Sequence, residues 1–151
     1  MSASPARDDA LITTFGRLLE AQGRLERRLG AELQARCGVP HAWFEVLVRL
    51  SRSDDGQLTM GDLAEQVTLT TGGVTRLIDR MVAAGYVERR PSPTDRRVSY
   101  AALTAAGRRK LDEAAAVHGA NLRAIFAGFT DEEREILDAL LDRLRGVPPG
   151  D

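Results

Sequence analysis

Residues 70–100, TTGGVTRLIDRMVAAGYVERRPSPTDRRVSY, restrict what this chain can fold into more than any other stretch. Val74, Leu77, Ile78, Met81 and Val82 recur at i, i+3, i+4, i+7 and i+8, which predicts a helix with one apolar face. Gly85 is its stop. Tyr86, Val87, Glu88, Arg89 and Arg90 have strand character. Residues 91–97 suit a hairpin loop, and Val98, Ser99, Tyr100 and Ala101 its return strand. A helix followed directly by an arginine-tipped hairpin is the pattern of a winged DNA-binding element.

Charge placement agrees with that pattern. The chain of 151 residues has a net charge of −1. Residues 68–100, however, hold six arginines against three acids, +3 locally, which leaves −4 for the remainder. Distribution, more than the total, decides where a polyanion can bind. All but one of the 21 basic residues are arginine, Lys110 being the exception, and arginine suits bidentate contacts to phosphate and guanine.

The length predicts one domain with its own core. With 43% hydrophobic and only 5% aromatic residues, that core should consist of helices packed through Leu, Ala and Val. No apolar run approaches the roughly 18 residues that cross a membrane. The N-terminal MSASPARDDA lacks the apolar centre of a signal peptide. A cytoplasmic protein with no membrane partner is expected. One cysteine, Cys37, excludes an intrachain disulfide and a Cys-rich metal site. With two histidines, no phosphate loop and no Gly-x-Ser-x-Gly elbow, the sequence offers neither an enzyme's machinery nor a cofactor site.

Taken in order, residues 1–8 read as a loose tail. A long helix should start near Asp8 or Asp9 and carry Leu11, Phe15, Leu18, Leu19, Leu25, Leu29 and Leu33. It should end at Cys37-Gly38. At about 28 residues it is long enough to need a partner outside its own small core. Pro40 opens a second, largely buried helix. Ser53-Asp54-Asp55-Gly56 is a turn, and Gln57-Leu58 could add a third strand beside the hairpin. Thr59 with Asp62 resembles a capping box for a short helix over 60–67. Thr68-Leu69-Thr70 is then a tight turn, with Leu69 plugging the angle and Thr70 capping the next helix: helix-turn-helix spacing. Thr104 caps a helix to about Ala127, with Leu111, Ala114, Ala115, His118, Leu122, Ile125 and Phe126 on one side. Thr130 and Glu133 form a capping box for the last, which carries Ile136, Leu137, Leu140, Leu141 and Leu144.

With VTRLIDRMVAAGYVERR, the Asp95-Arg96-Arg97 tip, and Leu103-Thr104 followed by Gly107, the chain resembles the MarR (multiple antibiotic resistance regulator) family over roughly residues 9–146. The resemblance implies a mainly α fold with an α+β wing, a winged helix-turn-helix whose N- and C-terminal helices form an intertwined dimerisation region. The whole of 1–151 would be one such domain. About 9–37 and 105–146 would be the dimerisation helices and about 40–103 the DNA-binding lobe. It further implies a homodimeric regulator of transcription, typically a repressor on pseudo-palindromic double-stranded DNA, released by a phenolic or anionic small molecule.

The candidate DNA-binding residues follow. On the recognition helix, Thr71, Thr75 and Arg76 are assigned to base edges or nearby phosphates, although capping or back-bonding to the preceding turn would also occupy the two threonines. Thr70 and Gly72 lie at the same end. Gly72 and Gly73 stand where relatives commonly carry polar side chains, so either the backbone approaches phosphates there or reading shifts to Thr71, Thr75 and Arg76. A module that binds protein instead of DNA is the competing reading of that glycine pair. Arg80 contacts DNA or pairs with Asp79 or Glu88. Arg89 and Arg90, at the wing base, reach phosphates or serve as strand-edge solubility charges. At the tip the resemblance assigns Arg97 to the minor groove with Asp95 orienting it, and Arg96 to a phosphate. His41 and Trp43 are candidates for the effector pocket, with His118 a weaker one. Cys37 is either a small buried residue or a redox sensor.

Overall fold

Asp9 caps the longest helix, α1 (Ala10–Cys37), its carboxylate accepting from the Leu11 amide at 2.8 Å. Gly38 ends it in the left-handed region, φ 66°, with its N–H on the Gln34 carbonyl, a conformation that glycine adopts without a Cβ penalty. The computed structural model describes residues 6–67 and 71–148. The chain divides into two compact units, 1–118 and 119–151, with the boundary inside α5 (Ala105–Phe126). Residues 6–8, expected to be part of a loose tail, form a 3-10 turn closed by the Asp9 amide on the Ala6 carbonyl.

In the first unit, α2 (His41–Ser51) supplies the centre of the core with Val46, Leu47 and Leu50, all fully buried. Around them lie Leu63 of α3 (Met60–Gln66), Val74, Ile78 and Met81 of α4 (Thr71–Ala83), and Val87, Ala101 and Leu103 of the sheet. A second cluster joins Leu33 and Cys37 of α1 to Val39, Phe44 and Ala114. Strand β1 (Gln57–Thr59) pairs antiparallel with β3 (Ser99–Leu103), which pairs with β2 (Val87–Pro91), in the order β1-β3-β2. The third strand expected at Gln57-Leu58 is therefore present. β2 is an edge strand, so Pro91, which lacks an N–H, does not interrupt the ladder. Both wing strands run later than the sequence pattern suggests.

Thr59 caps α3 by accepting from the Asp62 amide at 3.1 Å. Thr104 caps α5 by accepting from the Gly107 amide at 3.0 Å, and its hydroxyl donates to the Gly85 carbonyl at 2.7 Å. The one threonine thus ties the end of the α4 turn to the start of α5. Lys110 Nζ donates to the Cys37 carbonyl at 3.3 Å and to Glu113 at 2.9 Å, satisfying an acceptor that the end of α1 leaves open.

Two expectations about helix faces are corrected. Val82, placed on the apolar face of α4, is 38% exposed. Met81 takes the inward position, and the next residue is carried about 100° around the axis. Ala115 is exposed for the same reason, beside the fully buried Ala114. In the second unit, α6 (Asp131–Arg145) starts at a reciprocal capping box between Thr130 and Glu133.

Candidate nucleic-acid interface

α4 presents two kinds of surface: Val74, Ile78 and Met81 are buried in the core and the half-buried Leu77 packs against it, which leaves the other faces to solvent. Thr71 begins the helix, Thr75 is half-buried, and Gly72, Arg76, Asp79 and Arg80 are exposed. Among the described residues, a β-carbon on Gly72 would meet nothing within 4 Å beyond its own helix backbone and chain neighbours, so this face of the helix leaves room for close approach from outside. Thr70, together with Thr68 and Leu69, lies outside the described residues.

The expected partner choice for Arg80 is not the one found. Asp79 pairs with Arg89 of β2, Oδ1 to Nη2 at 2.7 Å. Glu88 pairs with Arg90, whose Nε and Nη2 lie 2.8 and 2.5 Å from Oε1. Arg90 Nη1 also reaches Gln57 Oε1 at 3.5 Å, across β3. The strand pleat explains both pairings: Val87 and Arg89 share the face turned to α4, and Glu88 and Arg90 share the other. Arg76 and Arg80 form no ion pair with a described residue.

The wing tip is organised by its own side chains. Ser92 Oγ accepts from the amides of Thr94 and Asp95 at 3.3 and 3.2 Å. Asp95 then accepts from the Arg97 amide at 3.0 Å, and its two oxygens hold Arg97 Nε and Nη2 at 3.2 Å each. The Arg97 side chain hydrogen bond, followed by the Arg97 backbone N–H, holds the Asp95 carboxyl below its usual range. The Arg97 side chain is 90% exposed, and its Nη1 remains unpaired among the described residues. Asp95 thus fixes Arg97 outward in an ion pair that leaves Nη1 as the outward donor, and Arg96 beside it is exposed as well.

His41, at the start of α2, lies with its ring centroid 6.0 Å from that of His118 on α5, and Phe44 lies 4.8 Å from His118. His118 Nδ1 is buried without a hydrogen-bond partner among the described residues. Burial, then the charge of His41, lowers its pKa below 6.5. The sequence offers the two histidines as separate candidates; nothing in their spacing announces the contact. Trp43 is half-buried and meets Tyr86 edge-on at 6.2 Å. Cys37 is buried. Among the described residues no group of three or more His, Cys, Asp or Glu could hold a metal ion, and no helix is long and apolar enough to cross a membrane.

A family model described as the MarR family matches residues 38–98, which run from the end of α1 to the wing tip. The structure superposes on Sco3205 of Streptomyces coelicolor, a MarR family transcriptional regulator solved in complex with DNA, with a TM-score of 0.83 and 28% identity. The match covers 99% of this chain and 94% of that one. In sequence the chain is 28% identical over 134 residues to the multiple antibiotic resistance protein MarR of Escherichia coli, covering 88% of this chain and 92% of that protein. It is 27% identical over 128 residues to the transcriptional regulator YdgJ of Bacillus subtilis, covering 85% and 76%.

Proposed function

This chain belongs to the MarR family of transcriptional regulators, and on that premise we propose that it binds double-stranded DNA as a homodimer. In this reading it represses transcription from a pseudo-palindromic operator and is released by a phenolic or otherwise anionic small molecule. The observation that carries the DNA reading is the presentation of Arg97. A thin hairpin tip, held by its own hydrogen bonds, points a 90%-exposed guanidinium away from the protein. Such a tip reaches into the minor groove, while α4, with Arg76 and Arg80 exposed, enters the adjacent major groove.

The homodimer reading rests on apolar surface. Leu11, Phe15 and Leu19 on one face of α1 are each more than half exposed, and Ile136, Leu137, Leu140, Leu141 and Leu144 of α6 are 39–53% exposed. Stripes of this kind mark interaction surfaces. Helices over about 9–37 and 105–146 would pair with those of a second copy, and the lobe over about 40–103 would carry the DNA contacts, all within one domain. The adjoining His41 and His118, with Trp43 on the same helix as His41, suit an anionic aromatic effector. The buried position of Cys37 suits packing better than redox sensing.

Footprinting of the DNA upstream of the gene and its divergent neighbour tests the proposal. Two protected half-sites about 34–36 Å apart centre to centre are expected, with two chains bound per site and protection lost on adding a phenolic acid such as salicylate. Protection no different from random DNA would leave the protein-interaction reading in its place.

A further inference from the structure

Asp79 is the only acid in α4, and it is spent on Arg89. The two side chains meet at 2.7 Å while remaining 60% and 40% exposed. A pair that open contributes little to folding. Its consequence lies elsewhere: it neutralises the one wing-base arginine directed toward α4, whereas Arg76 and Arg80 on that helix form no ion pair with a described residue.

We propose that Asp79 is a positioning residue that limits DNA affinity by holding Arg89 off the phosphate backbone. The inference rests on the DNA-binding reading above. Arg89 lies on the strand leading to the minor-groove tip, with its side chain turned to the helix assigned to the major groove, where the phosphates joining the two grooves would pass. A phosphate competes with Asp79 for the same guanidinium and is repelled by the carboxylate itself. Each phosphate neutralised by a cation makes the log–log salt dependence of binding steeper by about 0.9. A regulator that must leave its operator when an effector arrives gains from one cation withheld.

Binding of wild type, Asp79→Asn, Arg89→Ala and the double variant is measured by fluorescence anisotropy on upstream and random-sequence duplexes between 50 and 300 mM salt (roughly the range over which counterion release is resolved). Asp79→Asn should tighten binding to both duplexes by up to about fivefold and steepen the salt slope by about 0.9, with thermal midpoint nearly unchanged. In the Arg89→Ala background the same substitution should do neither. An equal shift in that background would show Asp79 acting by its own charge. Weaker binding by Asp79→Asn would show the pair to be a strut for the wing. Either result overturns the inference while leaving DNA binding intact; failure of the wild type to bind DNA at all would remove both.

Discussion

Gly107 on α5 lies so close to Tyr86, at the wing root, that a β-carbon there would stand 2.1 Å from the Tyr86 carbonyl oxygen. The Leu103 Cδ1 would be only 2.9 Å away on another side. The obstructing atom is backbone, already committed to the Thr104 amide at 3.2 Å, so it cannot swing aside as a side-chain end could. The first turn of α5 and the hairpin can only approach this closely through a glycine.

Gly107→Ala should therefore destabilise the fold by about 1–3 kcal/mol, the usual cost of overpacking. The thermal midpoint should fall by several degrees, on the order of 2–4 °C per kcal/mol for a chain of this size. Gly72→Ala, where a β-carbon meets nothing among the described residues outside its own helix, should stabilise slightly through helix propensity. Equal melting temperatures for the two variants would contradict the packing argument.

Asp95 should titrate below the 3.8 of an unperturbed aspartate. Because the folded pKa is depressed, its contribution to stability is present above the unfolded value and is lost as pH falls through the folded one. Carboxyl chemical shifts followed by NMR should show a depressed midpoint in the wild type and one nearer the ordinary value in Arg97→Ala. A midpoint unaffected by that substitution would mean that Arg97 does not hold Asp95.

His118 gives a pH dependence in the neutral range. Burial and the nearby His41 lower its folded pKa below 6.5, so the unfolded chain binds a proton more readily. Its contribution is intact above pH 6.5 and declines as pH falls through the lower folded value. Urea midpoints at pH 7.5 and 5.5, a span of roughly one unit either side of the unperturbed histidine, should show a loss on acidification that His118→Gln reduces. The same loss in the variant would assign it to other groups.

Much of this architecture is legible in the sequence because it is local. Asp9, Gly38, Thr59, Thr104 and Thr130 announce helix ends through residue type and spacing, and Val74, Ile78 and Met81 show a core face through periodicity. What is not legible depends on where separate elements meet. Asp79 and Glu88 pair with Arg89 and Arg90 in place of Arg80 because of a strand's pleat and its placement beside α4. The contact of His41 with His118 needs α2 laid against α5. The Leu103-Thr104 and Gly107 pattern is visible in the sequence, but its cause, the Tyr86 carbonyl, is a fact of packing. Val82 and Ala115 show the limit of face assignment, since one residue's rotation separates a buried side chain from an exposed one.

If α6 pairs with a second copy, a charge on its apolar face should separate the chains. Leu140, 52% exposed, contributes little to packing within its own chain. Leu140→Glu should shift sedimentation from dimer toward monomer, with the helical circular dichroism largely retained. A wild type that sediments as a monomer at micromolar concentration would refute the dimer outright.

DNA binding as a function of salt tests the central claim most directly. The wild type is titrated onto the duplex upstream of its gene and onto random sequence, in parallel with Arg97→Ala. The account predicts binding to the upstream duplex at least about a thousandfold tighter than to random DNA, with log affinity falling linearly with log salt. Arg97→Ala should lose roughly tenfold or more in affinity at an unchanged melting temperature, since its side chain is 90% exposed. Wild-type affinity no greater for the upstream duplex than for random sequence, or an Arg97→Ala variant that binds as tightly as the wild type, would contradict it.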